Sequence, residues 1–251
     1  MQVTEEERHT LLDGDSNAVR VTSDADLNGT LQPVRYELVE TKSIGADMEE
    51  KNTTVMLRSI NGGFAPAMKT HELQKPGANG TIESQKTILL FDGAGNWQAR
   101  EIRQSTIRYE GNNRNTEEHV FRRDAEGKLS EFSHVVRKKS ESASGETRNV
   151  VEIYSLDTPG ATPDGSLHLV ERSTSTHRTS TTGGQITERQ VDQVDPGDPG
   201  SGLRVSVLID GRMVPGPPGE QSTVTIRERD SNGSFGTVSV ETTASDRNPH
   251  R

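Results

Sequence analysis

At 251 residues the chain has room for one large domain or two small ones, yet only 28% of it is hydrophobic and 4% aromatic, with a mean hydropathy of -0.78. Its net charge of -9, from 29 basic and 38 acidic residues mixed along the chain, argues against nucleic acid, which selects a basic face, and against a polybasic membrane patch. The absence of cysteine excludes disulfides, thiol nucleophiles and cysteine-ligated metals. No apolar run reaches transmembrane length and no charged-then-apolar leader opens the chain at Met1-Gln2-Val3-Thr4, so a soluble chain without membrane insertion is expected.

In chain order, Gln2–Leu12 reads as an outer strand running into the turn Asp13-Gly14-Asp15-Ser16-Asn17, and Ala18–Thr22 is a short segment open to either a strand or a loop. From Asn28-Gly29 onward the pattern is a series of hairpins. Thr30–Ser43 and Met48–Arg58 flank Ile44–Asp47, and Phe64–Gln74 and Thr81–Phe91 flank Lys75–Gly80. Trp97–Tyr109 and Arg114–Arg122 flank Glu110–Asn113, and Leu129–Ser140 and Thr147–Tyr154 flank Ser142–Gly145. Leu167–Thr179 and Gln185–Val194 flank Thr182-Gly183-Gly184. Two Pro/Gly segments, Asp195–Gly200 and Val214–Gly219, are expected to be enlarged loops between Val194 and Leu203 and between Ile209 and Thr223. Phe235–Thr243 is the last predicted strand and Ala244–Arg251 a polar tail.

The hairpins share one punctuation mark: a polar turn ending in Gly, one variable residue, then a large apolar one. Asn28-Gly29-Thr30-Leu31, Asn61-Gly62-Gly63-Phe64, Gly95-Asn96-Trp97, Gly127-Lys128-Leu129, Gly165-Ser166-Leu167 and Gly233-Ser234-Phe235 carry it. The glycines step by 33, 33, 32 and 38 residues, then by 68, about two further steps. A period in this range marks a repeat architecture. Asn-Gly and Gly-Asp pairs supply the positive φ that hairpin turns need, and helical periodicity is absent. Pro33 and Pro66, each four residues past its turn glycine, point to a bulge or bend inside a strand.

These features predict an all-β fold, one repeat-built domain over residues 1–251 with hairpin units starting near 29, 62, 95, 127, 165, 202 and 233. About fourteen strands would form an antiparallel meander in one continuous twisted sheet, the alternative being a closed ring, barrel or propeller-like arrangement. Val55, Leu57, Ile88, Leu90, Val120, Phe121, Ile153, Tyr154, Val224 and Ile226 lie near the glycine turns. They predict an apolar band along that edge, with Trp97 and Phe64 carrying the most stability, and a wet fringe along the other.

The arrangements that carry chemistry are missing. No phosphate-cradling Gly-x-x-x-x-Gly-Lys loop, dinucleotide fingerprint, nucleophile elbow or His-Glu-x-x-His occurs. His9, His71, His119, His134, His168, His177 and His250 are isolated in sequence and read as strand surface positions. Glu5-Glu6-Glu7, Glu49-Glu50 and Glu117-Glu118 are adjacent on strands, so neighbours point to opposite faces and make poor acid/base pairs. No catalytic residue, cofactor site or metal site is assigned. Asp24-Ala25-Asp26-Leu27-Asn28-Gly29 has the opening of a calcium loop, but Arg35 stands where a bidentate Glu would close it; Asp13–Asn17 is a second acidic turn. Trp97 offers a stacking platform for a sugar, although it holds the slot that Leu31, Phe64 and Phe235 hold elsewhere and so reads first as packing.

At its turns the chain resembles the bacterial YD or Rhs-type repeats, whose units carry an Asp, two residues, a Gly and then an apolar position. Phe91-Asp92-Gly93-Ala94-Gly95-Asn96-Trp97, Arg123-Asp124-Ala125-Glu126-Gly127-Lys128-Leu129 and Asp230-Ser231-Asn232-Gly233 carry the resemblance. The tyrosine usual before the Asp is missing and the spacing is longer. The resemblance implies large secreted or surface proteins whose hairpins build shells or extended sheets, and it transfers no catalytic residue. The expected function is a non-enzymatic structural or adhesive β-repeat module of a bacterial surface or extracellular protein. The alternative is a carbohydrate- or calcium-binding module. Expected partners are the chain itself through edge strands, other surface proteins, or glycans. Glu5, Glu6 and Glu7 on the first strand would discourage pairing with strangers.

Overall fold

Each arm of the repeat forms a strand. In the computed structural model, which describes residues 2–11, 15–45, 47–124, 126–162, 164–215 and 219–246, these are β1 Gln2–Thr10, β2 Ser16–Ala25, β3 Leu31–Ser43, β4 Glu49–Arg58, β5 Phe64–Pro76, β6 Ile82–Phe91, β7 Trp97–Glu110, β8 Asn113–Arg123, β9 Leu129–Glu141, β10 Thr147–Ser155, β11 His168–Thr179, β12 Gln185–Val194, β13 Leu203–Pro215, β14 Gly219–Arg229 and β15 Phe235–Asp246. Single 3-10 turns at Ala78–Gly80 and Pro199–Ser201 are the only helical elements among the described residues. The sheet order is the chain order, an antiparallel meander that is open at β1 and β15 and not closed into a barrel. The closed ring, barrel and propeller are thereby overturned. The strands number fifteen rather than fourteen because Ala18–Thr22 lies inside β2, which pairs with β1 and β3 along its length.

The strands divide into two compact units, Met1–Thr106 with Glu118–Glu131, and Ile107–Glu117 with Phe132–Arg251. Two sequence boundaries need correction in the second unit. Val214 and Pro215 belong to β13 and Gly219 opens β14, so the Pro/Gly segment there does not extend from Ile209 to Thr223; residues 216–218 lie outside the description. Likewise β15 takes Ala244 to Asp246 from the expected polar tail, pairing them with Gln221, Glu220 and Gly219, and residues 247–251 are not described.

The recurring turn has one hydrogen-bond pattern. Asp26 N–H donates to the Thr30 carbonyl at 2.9 Å, Gly29 N–H returns to the Asp26 carbonyl at 3.0 Å, and Asp26 Oδ1 accepts from the backbone of Asn28 and Thr30 at 2.9 Å each. Asp230 repeats all four bonds, to Ser234, Gly233 and Asn232. Asp92 caps Ala94 and Asn96, and Asp124 caps Lys128. The carboxylate thus satisfies turn donors that would otherwise need water, and Gly29, at φ +79°, takes the left-handed position that a side chain would strain. Ser142 and Ser180 make the same turn at the opposite strand ends, each hydroxyl accepting from the residue after the glycine.

A bulge follows each of several turns. One extra residue, Val34 in β3, Ala67 in β5, Val170 in β11, Ser206 in β13 and Val238 in β15, interrupts the register with the preceding strand. Pro33 and Pro66 sit directly before two of them, where a broken ladder tolerates a missing N–H, as their position in the sequence indicates.

Register then places opposite charges side by side. The row Glu6, Arg20, Glu37 crosses β1 to β3, with Arg20 Nε 2.5 Å from Glu6 and Nη1 3.6 Å from Glu37. Lys86 faces Glu72, and Arg172 faces Glu152 at 2.8 Å. The buried apolar residues are Ala18, Val39, Val55, Val120, Val135, Val191 and Val194, and no side chain among the described residues falls below 2% exposure. Val55 and Val120, both expected in the band along the turn edge, are buried, and Val191 and Val194 near the end of β12 join them. Leu57 and Leu90 of the same expected band, nearer the turns, are 46% and 42% exposed. The band is therefore narrower than expected and stops short of the turns. A residue in a strand's middle is covered by same-face neighbours on every side, whereas one near the end lacks them on one side. At the turn edge the large residues pair locally: Phe64 meets Tyr36 edge-on at 4.4 Å between ring centroids, and Trp97 meets Phe91 at 5.2 Å with Lys69 Nζ 4.5 Å from its ring.

The Glu101 carboxylate is buried between two arginines that stay partly exposed. Glu101 accepts from Arg103 Nε at 2.6 Å and Arg122 Nε at 2.8 Å. Burial works to raise its pKa, but the Arg122 and Arg103 guanidiniums outweigh it and hold the carboxyl below the ordinary value of 4.5. Because the folded pKa is depressed, the stabilisation is present above 4.5 and is lost as pH falls through the folded value. Glu101→Gln should lower the melting temperature at neutral pH, with the gap to the parent protein narrowing as pH drops below 4.5. Thermal melts over a pH series check this, and a gap that stays constant would contradict it.

Candidate functional site

At the ends where even strands lead into odd ones, the connections β2–β3, β4–β5, β6–β7, β8–β9 and β14–β15 are the short glycine turn. Two consecutive connections in the second unit depart from it. Residues 156–167 join β10 to β11, and residues 195–202 join β12 to β13. The departure is legible in the sequence as the 38-residue step from Gly127 to Gly165 and as the Asp-Pro-Gly-Asp-Pro-Gly segment, although neither signalled a shared site.

Both loops are ordered by their own polar groups. In the second, Arg204 places Nη1 3.3 Å from Asp195 Oδ2 and Nη2 2.7 Å from Asp198 Oδ2, while Asp195 Oδ1 accepts from Gly197 N–H at 2.9 Å. The guanidinium fork thus ties the loop to the start of β13. In the first, Leu156 N–H donates to the Phe132 carbonyl at 3.0 Å, and Asp157 N–H to Ser155 Oγ at 3.0 Å. The loops touch backbone to backbone: a methyl group at Gly160, φ +76°, would lie 2.0 Å from the Pro196 carbonyl oxygen.

Between them lies a cleft of about 420 Å³ whose walls include Leu156, Thr158, Asp164, His168, Leu169 and Val194. The Asp164 carboxylate accepts from Ser166 N–H at 2.8 Å and faces His168 Nε2 at 2.9 and 3.0 Å. The Ser166 N–H, then the His168 ring, hold the Asp164 carboxyl below the usual carboxylate range. His168 thus faces the carboxylate through Nε2. The Thr158 hydroxyl is buried without a hydrogen-bond partner. The lining combines the Asp164 carboxylate with the apolar side chains of Leu156, Leu169 and Val194.

The residues singled out in the sequence are placed elsewhere. Asp26 is the turn cap described above, and Asp24 accepts from Gln2 Nε2 at 3.1 Å, so the calcium-like stretch is engaged in holding β1 to β2 and turning the chain. Asp15 Oδ1 accepts from Ser43 N–H at 2.8 Å, and Asp13 and Gly14 of the same stretch lie outside the described residues. Trp97 packs in the ring cluster with Phe91 under Lys69. Of the histidines isolated in sequence, His9 pairs with Glu7 within β1, and others find partners across strands: His71 with Glu50, His119 with Glu131, His177 with Thr187, and His134 stacked on Tyr154. His250 is not described. The Asp164/His168 pair was missed because its signal is only an Asp four residues before a His in a Pro/Gly-rich loop.

Gly160→Ala should separate the two loops, since the new methyl group meets backbone rather than a movable side chain and the residue must also hold a positive φ. Amide chemical shifts checking this should move in residues 156–169 and 195–202 and stay fixed in β1 to β6; unmoved loop shifts would show that the contact is not made. No family model matches the chain, and no curated protein or solved structure matches it.

Proposed function

We propose that the chain is a non-enzymatic structural or adhesive module of a bacterial surface or extracellular protein, a role in keeping with the YD/Rhs-like turns of the sequence. The observation that carries this reading is the economy of the sheet. Fifteen strands follow one another in chain order, and cross-strand charge rows such as Glu6, Arg20 and Glu37 run from strand to strand. Such a sheet presents a large patterned surface for a small investment in core, which suits a protein whose task is to cover, space or join. Its end strands supply the means of joining: a strand edge can pair with another chain, and the Glu5 to Glu7 run on β1 restricts which chains that edge accepts.

The module reading predicts no turnover across a panel of esterase, glycosidase, peptidase and phosphatase substrates, together with a mass that climbs with concentration in light scattering. Turnover that copurifies with the chain and disappears in Asp164→Asn would overturn the reading.

A further inference from the structure

We propose that the cleft between the β10–β11 and β12–β13 connections binds an alkylammonium ion, its nitrogen at Asp164 and His168 and its carbon stem against Leu156, Leu169 and Val194. The inference goes beyond the structural role proposed above and does not depend on it. Three observations lead here. The first is the break in the repeat itself: a chain whose other connections have five residues or fewer places two long neighbouring loops here and packs them to backbone contact at Gly160 and Pro196. At about 420 Å³ the cleft they form is of ligand size.

The second is charge. The two loops and the first residues of β13 carry Asp157, Asp164, Asp195 and Asp198 against one cation, Arg204. Both arms of that guanidinium are committed to Asp195 and Asp198, so the cleft wall at Asp164 keeps its negative charge. The third is the chemistry of the wall. Asp164 has lone pairs beyond those facing Ser166 and His168. A cation with several N–H donors fits a carboxylate of this kind. A sugar hydroxyl array is better met by mixed donors and acceptors with a broad aromatic face, and the lining holds no Phe, Tyr or Trp. A metal ion needs more converging ligands than this carboxylate and imidazole, the Asp195 and Asp198 carboxylates being held by Arg204. The apolar side chains then select a cation on a hydrocarbon stem.

The test is a titration of the full chain with pentylammonium, followed by amide and methyl chemical shifts at Leu156, His168, Leu169 and Val194. Pentanol, with the same stem and no charge, glucose and calcium chloride serve as comparators. Saturable shifts at these residues with pentylammonium, and none with the comparators, are expected. Asp164→Asn should weaken binding by roughly tenfold or more, as befits loss of a charge-assisted hydrogen bond; His168→Gln, which keeps a donor toward Asp164, should weaken it less; Trp97→Ala should leave it unchanged. A second arm uses N-acetyl-lysine methylamide. Binding of both amines assigns the cleft to lysine side chains of a partner protein, and binding of pentylammonium alone to a free amine. Equal binding of pentanol, shifts with calcium or glucose but not with amine, or an Asp164→Asn variant that keeps its loop shifts and its affinity would overturn the proposal.

Discussion

A side chain on one face of a sheet can be covered only by its neighbours on that face, and much of this protein follows from that limit. Burial requires neighbours on all sides, so it is reached by β-branched residues such as Val39, Val55, Val135 and Val191, and not by the larger Leu57 or Leu90. The chain can therefore be folded with hydrophobic content as low as 28%. What a core would supply is provided instead by rows of cross-strand pairs, such as Glu6, Arg20 and Glu37, each modest by itself but repeated from strand to strand.

For such pairs to meet, register must be held without help from a jigsaw core, and the turns do that. At the turns opened by Asp26, Asp92, Asp124, Ser142, Ser180 and Asp230 that side chain caps donors on the far side and the glycine takes positive φ, and the residues flanking a turn are set opposite one another, as Ala25 is to Leu31, Arg58 to Phe64 and Arg229 to Phe235. A bulge four or five residues past the glycine then resets the alternation of faces. Turn and bulge together act as a ruler copied along the chain. Where the ruler is broken, at the β10–β11 and β12–β13 connections, the chain departs from repetition and forms its cleft.

Much of this was legible in the sequence because the signals are local. Glycine after a polar residue announces a turn wherever it occurs, and the strands between Leu31 and Val194 begin and end within a few residues of where the turn chemistry puts them. Pro33 and Pro66 marked bulges by the same local logic. What stayed hidden depends on pairing. Ala18–Thr22 has no strong pattern of its own and becomes a strand because β1 and β3 offer partners on both sides. The Val214 to Gly219 segment looks like a loop by composition, yet β13 runs on to Pro215 because β12 supplies partners up to Met213 and β14 beyond. The location of the buried residues likewise follows from the two-dimensional neighbourhood of each position, which a one-dimensional pattern does not contain. The candidate cleft was hidden for the same reason: Asp164 and His168 are near in sequence, but the apolar walls come from Leu156, Leu169 and Val194, brought together by the pairing of β10, β11 and β12.

The central claim is that cross-strand pairs and capped turns, rather than apolar burial, hold this fold together. The heat-capacity change on unfolding tests it most directly, because exposing apolar surface raises it while exposing polar surface lowers it. Ordinary globular domains give roughly 12–15 cal/mol/K per residue. Scanning calorimetry combined with denaturant unfolding should give a value clearly below that range for this chain. A value inside it would mean that a conventional core is being exposed, and would contradict the account.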